Sequence, residues 1–323
     1  MILTTPQELA DLFALRCESE VFGPFSGRAY LLVDLTLDAG ADGAALVARL
    51  GALPCPVIGV GRENAALAAG CDVVIGDPAR HQGMLANVSK NPIAAMVLAQ
   101  VLRTSAGLPI EAGLRVESLA YATLQSGPEF AAYLMRRKRA LHVGDPGPPV
   151  VISRDGGTME ILLNRPSSFN AITIEMRNAL CEAFDLAALD DAVERVVLRG
   201  AGRCFSVGGS LAEFGSAPDG ASAHAVRSLR LPAARMVACG KPVHARVHGA
   251  CIGGGLELAA FAQRLTAEAG AFFQLPELGR GLIPGAGGTV SLVRRRGRLG
   301  AGGMMFGGNR ISAHKAETLK VFD

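Results

Sequence analysis

The sequence predicts an α/β fold in two parts, and three observations carry that reading. Up to Ile75, short apolar strand-like runs alternate with helix-like runs, the pattern of strands layered against helices. Asp145-Pro-Gly-Pro-Pro149 reads as the clearest linker, because consecutive prolines favour extended, unpaired backbone. Beyond it, strand-like runs twice enter glycine-rich turns, Gly200–Ser210 and Gly249–Gly255, where small residues leave backbone amides exposed. The expected division is 1–144, with a helical region over 91–140, followed by 149–323.

Residues 4–16 read as a helix: Thr4 or Thr5 can cap it, Pro6 suits its first turn, and Leu9, Leu12 and Phe13 form an apolar stripe. Ala29–Leu35 is a buried strand, Ala44–Leu53 a short helix, Pro56–Val60 a second strand, Ala65–Ala69 a short helix and Asp72–Ile75 a third strand. Gly59-Val-Gly61 follows a strand as in a dinucleotide site, but Asn64 stands where that fingerprint needs its third glycine. Asn91 can cap a helix running to Arg103, with Pro92 in its first turn; further helices cover Val116–Gln125 and Glu129–Arg139. After the linker, Val150–Ser153 and Met159–Leu163 make a hairpin around Asp155-Gly-Gly157. A helix over Thr173–Ala188, a strand over Val193–Arg199, a helix over His224–Cys239, a strand over Pro242–Val247 and a helical tract over Gly297–Phe306 complete the pattern.

Composition narrows the function. Half of the 323 residues are apolar, enough for a sizeable core, and a net charge of +3 makes no case for nucleic acid. The basic runs Arg136–Arg139 and Arg294–Arg298 read as solvated helix ends. Seven cysteines, an odd number without a CxxC pair, argue against a disulfide framework or a metal site and for a reducing cytoplasm. No basic stretch followed by an apolar one opens the chain, so no signal peptide is expected. Apolar runs such as Pro92–Leu102 fall short of the ~20 residues that span a bilayer, so no membrane role is expected either.

The chemistry concentrates in Lys241–Thr289. A strand feeds Gly249-Ala-Cys-Ile-Gly-Gly-Gly255, the first turn of the following helix carries Glu257, and Glu277 stands in Leu275-Pro-Glu-Leu-Gly279 ahead of a further glycine cluster, Gly281–Gly288. Exposed amides beside two carboxylates are what is needed to hold a developing oxyanion and move protons next to it. Each carboxylate also has a plainer reading as a residue of a helix start.

These motifs, in order and correctly spaced, resemble the crotonase superfamily, the enoyl-CoA hydratase/isomerase family. The matching pieces are Asn164-Arg-Pro166, Phe169-Asn-Ala-Ile172, Val196–Ser206, Lys241-Pro-Val243, Gly249–Leu258, Leu275–Thr289 and Asn309-Arg-Ile-Ser-Ala313, covering roughly residues 150–323. The resemblance implies a spiral of β–β–α units binding an acyl-CoA thioester, with coenzyme A carried by the substrate and no separate cofactor. By motif position the thioester oxygen would meet the amides of Gly209 and Gly254, and Glu257 and Glu277 would be the acid and base. Val207, Gly208, Gly253, Gly255, Pro284 and Gly285 would lie against the substrate. The reaction implied is syn-type hydration or dehydration of a 2-enoyl-CoA through a thioester enolate, as in fatty-acid metabolism. The alternatives are isomerisation, C–C cleavage, thioester hydrolysis or a non-catalytic acyl-CoA-binding subunit. A homo-oligomer, trimeric or a multiple, is expected from the family.

Departures from the family pattern bear on these expectations. Gly209 stands where Ala is common, Ser210 and Gln263 where acids are common, and His244, Arg246 and His248 share one face of a strand that is mostly apolar in relatives. His248 is therefore a possible substrate contact. The second half ends about where relatives begin a C-terminal helical region, whereas 91–140 is helical without an obvious role. Pro54–Gly61 parallels Gly240–Val247, and Leu67–Val74 parallels Leu258–Leu265, without the triple glycine or the paired Glu. The first half is thus expected to be a degenerate, catalytically silent crotonase-like copy whose helices cover the second half's site.

Overall fold

The first apolar runs do become a parallel sheet. A computed structural model describes residues 3–15, 21–40, 42–137, 144–319 and 321–322. Its N-terminal sheet holds β1 (Leu3–Thr4), β2 (Leu31–Asp34), β3 (Val57–Val60) and β4 (Val73–Ile75) in sequence order, all parallel. Alternation along β2 divides two cores. Leu31 and Val33 pack with Leu9, Phe13, Leu46 and Leu50, whereas Leu32 joins Ile58, Val73 and the main core. Helix α1 (Pro6–Ala14) starts in a reciprocal cap: Thr5 Oγ1 accepts the Glu8 N–H, and the Glu8 carboxylate accepts the Thr5 N–H. Helix α2 (Gly43–Gly51) crosses between β2 and β3, and a short 3₁₀ turn, Ala66–Gly70, stands where an α-helix is expected.

The helical region begins earlier than the sequence pattern suggests, with α3 (Gln82–Lys90) preceding α4 (Pro92–Ser105), α5 (Ile110–Gln125) and α6 (Pro128–Arg136). Asn91 makes no side-chain cap for α4. The carboxylate of Glu129, opening α6, instead takes the N–H groups of Ile93 and Ala94 at 2.8 and 2.9 Å. A remote anion thus supplies what a local cap was expected to supply. The expected end of this helix at 138–139 lies outside the described residues.

The second half repeats a β–β–α unit. Strands β5 (Val150–Asp155) and β6 (Thr158–Leu163) form the expected hairpin, and α7 (Ile174–Leu189) follows. Next come β7 (Arg195–Gly200) with α8 (Gly220–Leu229) and α9 (Pro232–Ala238), then β8 (Val243–Val247), β9 (Ala250–Ile252) and α10 (Gly254–Ala259). The chain continues through β10 (Arg264–Ala267), β11 (Phe272–Gln274) and α11 (Gly288–Gly307), ending with β12 (Ile311–Ser312) and α12 (Ala313–Thr318). One sheet runs β10-β8-β7-β6-β5, and a second runs β12-β11-β9. The single helix expected over His224–Cys239 is two, because Pro232 has no N–H to continue α8. The helix expected from Gly297 begins at Gly288, and Gly297 (φ 71, ψ 168) is a kink within it. Six cysteines are buried free thiols, and Cys17 lies outside the described residues. No helix among the described residues is long and apolar enough to cross a membrane.

The halves share a core. Fully buried Asp72, just before β4, accepts from Arg103 of α4 at 2.8 Å and from Arg298 of α11 at 3.3 Å. Helices α4, α5 and α3 pack directly on α11, so the first half's helices lie against the second half's glycine clusters.

Candidate active site

The site starts where β8 ends. Gly253, between β9 and α10, has φ 49, and a Cβ there would lie 2.6 Å from Glu277 Oε1, so only glycine fits. That turn leaves Gly254 as the first residue of α10, with an N–H that has no intrahelical acceptor. A second amide comes from the other glycine-rich turn. Ile172 brackets Gly209, donating its N–H to the Gly208 carbonyl at 2.8 Å and accepting the Ser210 N–H at 3.0 Å. Neither the Gly209 nor the Gly254 N–H has an acceptor among the described residues. They are neighbours: a Cβ on Gly254 would lie 3.7 Å from the Gly209 nitrogen. Both line a cavity of about 530 Å³ whose wall also includes Tyr121, Ile172, Leu258 and Ala286. Two convergent unbonded amides can hold a developing oxyanion.

Three carboxyls gather beside this cavity. Glu257 Oε2 accepts the N–H groups of Ala286 and Gly288 at 2.7 and 2.8 Å. Burial pushes Glu257 up to about 7 against the pull of those amides. Glu277 Oε2 is buried without a partner. Its carboxyl is pushed up to about 8, chiefly by burial and then by the Glu257 charge, with Arg280 opposing. Glu117, from α5, accepts the Gly287 and Thr289 N–H groups at 2.6 and 2.8 Å and the Thr289 hydroxyl at 2.6 Å. Burial and the Glu257 charge push it up to about 8. Glu257 and Glu117 thus take alternate amides, 286 with 288 and 287 with 289, at the start of α11.

The expected residues do not all reach the cavity. Gly209, Gly254 and Gly285 are in its wall; Val207, Gly208, Gly253, Gly255 and Pro284 are not. Gly255 is a packing position, where a Cβ would lie 2.7 Å from that of Ser206. Glu257 and Glu277 stand one layer back, under the Ala286 amide and against Gly253. His248 is not part of this site: its Nε2 lies 3.0 Å from the Gly202 carbonyl, and it lines a separate cleft with Glu160, Arg199 and Glu268. The turn at Gly249 carries the chain away before the site begins, so nearness in sequence misleads there.

Glu117, Tyr121 and Gln125 lie in a stretch, Glu117–Phe130, that resembles the C-terminal helices of some family members, but they were not among the expected site residues. They recur every fourth position of α5 and so share one face. Tyr121 and Gln125 line the cavity, and Tyr121 packs on Gly285, where a Cβ would lie 2.2 Å from its ring. A strip of three polar residues on one helical face was the available signal, but nothing local says what it meets.

The family model described as enoyl-CoA hydratase/isomerase matches residues 153–322. The chain is similar to the 2,3-dehydroadipyl-CoA hydratase of Escherichia coli (strain K12), at 33% identity over 168 residues, 52% of this chain and 65% of that protein. It is also similar to the 1,2-epoxyphenylacetyl-CoA isomerase of the same organism, at 35% identity over 164 residues, 50% of this chain and 63% of that protein. Among solved structures, the enoyl-CoA hydratase from Thermoplasma volcanium GSS1 superposes with a TM-score of 0.51 at 35% identity, over 55% of this chain and 71% of that one. The chain thus spans slightly under two thirds of the length of these curated relatives.

Proposed function

The chain belongs to the enoyl-CoA hydratase/isomerase family, and from that premise we propose that it catalyses addition of water to a 2-enoyl-CoA thioester, or the reverse elimination. The observation that supports the reading is the different surroundings of two neighbouring buried carboxyls beside two unbonded amides. Glu257 is held by two N–H donors, which favour its ionised form, while Glu277 is buried with an oxygen left unpartnered, which favours its protonated form.

The thioester oxygen would sit between the Gly209 and Gly254 amides, gaining hydrogen bonds as negative charge moves onto it; losing one such donor typically costs ~3–4 kcal/mol. Ionised Glu257 would draw a proton from water as the oxygen attacks the β-carbon. Protonated Glu277 would then deliver a proton to the α-carbon as the enolate collapses. The chemistry consumes only water and thioester, and coenzyme A leaves as it came, on the substrate.

The test is turnover of crotonyl-CoA, followed by loss of the conjugated enoyl chromophore and by identification of the product. Each of Glu257→Gln and Glu277→Gln is expected to lower kcat by about 10²–10⁴-fold, the range for positioned acid–base groups. Full activity in either variant, or a shifted double bond in place of a hydroxyl, overturns the hydratase reading.

A further inference from the structure

Glu117 has no step in the hydration proposed above, yet it is as deeply buried as the two carboxyls that do. It comes from α5, ahead of the linker, and meets the start of α11. That start has no local cap: Gly287 stands at the N-cap position with φ 108 and offers no side chain to the amides around it. Two carboxyls meet those amides instead. Glu257 of α10 takes Ala286 and Gly288, and Glu117 takes Gly287 and Thr289.

Both oxygens of Glu117 are in use. Oε1 accepts the Gly287 N–H, and Oε2 accepts the N–H and the hydroxyl of Thr289. An amide side chain would replace only one of those oxygens and would turn an NH₂ group on the donors of the other. The carboxyl has a cost, because a second buried acid beside Glu257 opposes the ionisation of both. The turn it holds is wedged between α5 and Glu257. Tyr121, one helical turn beyond Glu117, packs on Gly285 and has Arg227 of α8 over its ring at 4.3 Å. On the opposite side, a Cβ at Gly288 would lie 2.7 Å from Glu257 Cγ. Gly285 and Ala286 of the same turn line the cavity. A shift of this turn therefore moves the cavity wall and the two amides on Glu257 together.

We propose that Glu117 is a positioning residue: by holding the Gly287 and Thr289 amides it aims those of Ala286 and Gly288 at Glu257, and so fixes where that carboxyl stands behind the cavity wall. The first half thereby serves the reaction through a residue that touches no substrate. The inference rests on the role given to Glu257 in the hydratase reading above. The charged groups around Glu117 are Glu257 of α10, Glu277 of the turn after β11 and Arg227 of α8.

The test compares wild type with Glu117→Gln and Thr289→Val in crotonyl-CoA hydration, with kcat and KM measured separately. Glu117→Gln is expected to lower kcat by about 10- to 100-fold, the effect of a small misplacement of a reacting group, and to leave KM within about threefold. Its basic limb is expected at lower pH, because the Glu117 charge is one of those that raise Glu277. Thr289→Val keeps the buried carboxyl and both of its amides, and is expected to lower kcat by about two- to tenfold, the worth of one hydrogen bond. Lower thermal stability with kcat and the basic limb unchanged in both variants overturns the proposal. A second readout needs no turnover. With nitrogen labels on alanine and glycine, the amide proton shifts of Ala286 and Gly288 are expected to follow the ionisation of Glu257 in the wild type and to lose that response in Glu117→Gln. An unchanged response overturns the proposal. Wild-type protein that fails to hydrate crotonyl-CoA would sink the hydratase reading, and the amide response would still decide this inference.

Discussion

Two crossovers in this chain, Val57–Ile75 and Val243–Ala267, share a frame and differ in content. In each, the second residue of the leading strand pairs with the first residue of the following one, Ile58 with Val73 and His244 with Arg264. In each, the residue just before the following strand reaches back to the first N–H of the leading strand. Asp72 Oδ2 takes the Val57 N–H at 2.8 Å, and Gln263 Oε1 takes that of Val243 at 2.7 Å. Helix α11 grips both: Arg298 donates to the Ala69 and Cys71 carbonyls, and Arg295 to those of Ala260 and Ala262. These are the positions that the alignment of Leu67–Val74 with Leu258–Leu265 makes equivalent. The correspondence supports the reading of the first half as a worn copy of the second, which we retain as a proposal.

The contents diverge between the strands. The second crossover is longer and inserts β9, the glycine turn and α10, which bring the Gly254 amide to the cavity wall and Glu257 to the layer behind it. The first has a 3₁₀ turn with Leu67 and Ala68 buried, and a Cβ at Gly59 would lie 2.4 Å from Leu35 Cδ1. The frame is shared by both crossovers, and the chemistry we propose belongs to the insert of the second.

Four experiments break or sharpen this contrast. The largest effect is on turnover: Glu257→Gln and Glu277→Gln each lose about 10²–10⁴-fold in kcat, whereas Glu63→Gln, an exposed carboxylate of the first crossover, stays within about twofold. A comparable loss in Glu63→Gln would end the claim that the first crossover is silent.

Next is the shared frame itself. Asp72→Ala leaves Arg103 and Arg298 without their buried anion, and urea unfolding is expected to show a loss of about 3–5 kcal/mol. Gln263→Ala removes one neutral acceptor and is expected to cost about 1–3 kcal/mol. Equal costs would mean that the ion pairs do not distinguish the copies.

The two arginines of α11 come third. Arg298→Met removes a bond to Asp72 and two carbonyl bonds, and Arg295→Met removes the bonds to the Ala260 and Ala262 carbonyls; both are expected to destabilise. Each is expected at about 1–3 kcal/mol by the same measurement.

The smallest effects are on pH dependence. Burial makes Glu117 and Glu277 hold their protons more tightly folded than unfolded, at about 8 in the folded chain against an ordinary carboxyl value of about 4.5. Their stabilisation is therefore complete below about 4.5 and lost as pH climbs through about 8. Unfolding free energy should fall over that window, and less steeply in Glu117→Gln. The same variant removes a negative charge that raises Glu277, so the basic limb of its kcat profile should move to lower pH. An unmoved limb would make Glu117 a structural cap of α11 and nothing more.

Legibility differed between the halves for the same reason. The hairpin at 150–163 and the paired glycine turns were readable because turn chemistry and strand alternation are local. The start of α4 at Pro92 was readable, although Glu129 rather than Asn91 meets its free amides; the start of α11 was not, because distant Glu117 and Glu257 meet its amides. Asn91 looked like a cap in sequence, yet its side chain makes no cap bond.

By itself the sequence determined the α/β class and the second half's family, and it pointed to the amides of Gly209 and Gly254 that we propose as the oxyanion site. Glycines in forced turns and carboxylates at set spacings are written into a short stretch of chain. Tertiary structure alone decided that Glu117 shares the start of α11 with Glu257 across 170 sequence positions, that Tyr121 and Arg227 face the cavity, and that His248 does not. Burial and partnership are properties of what packs opposite a residue, and no spacing along the chain encodes them.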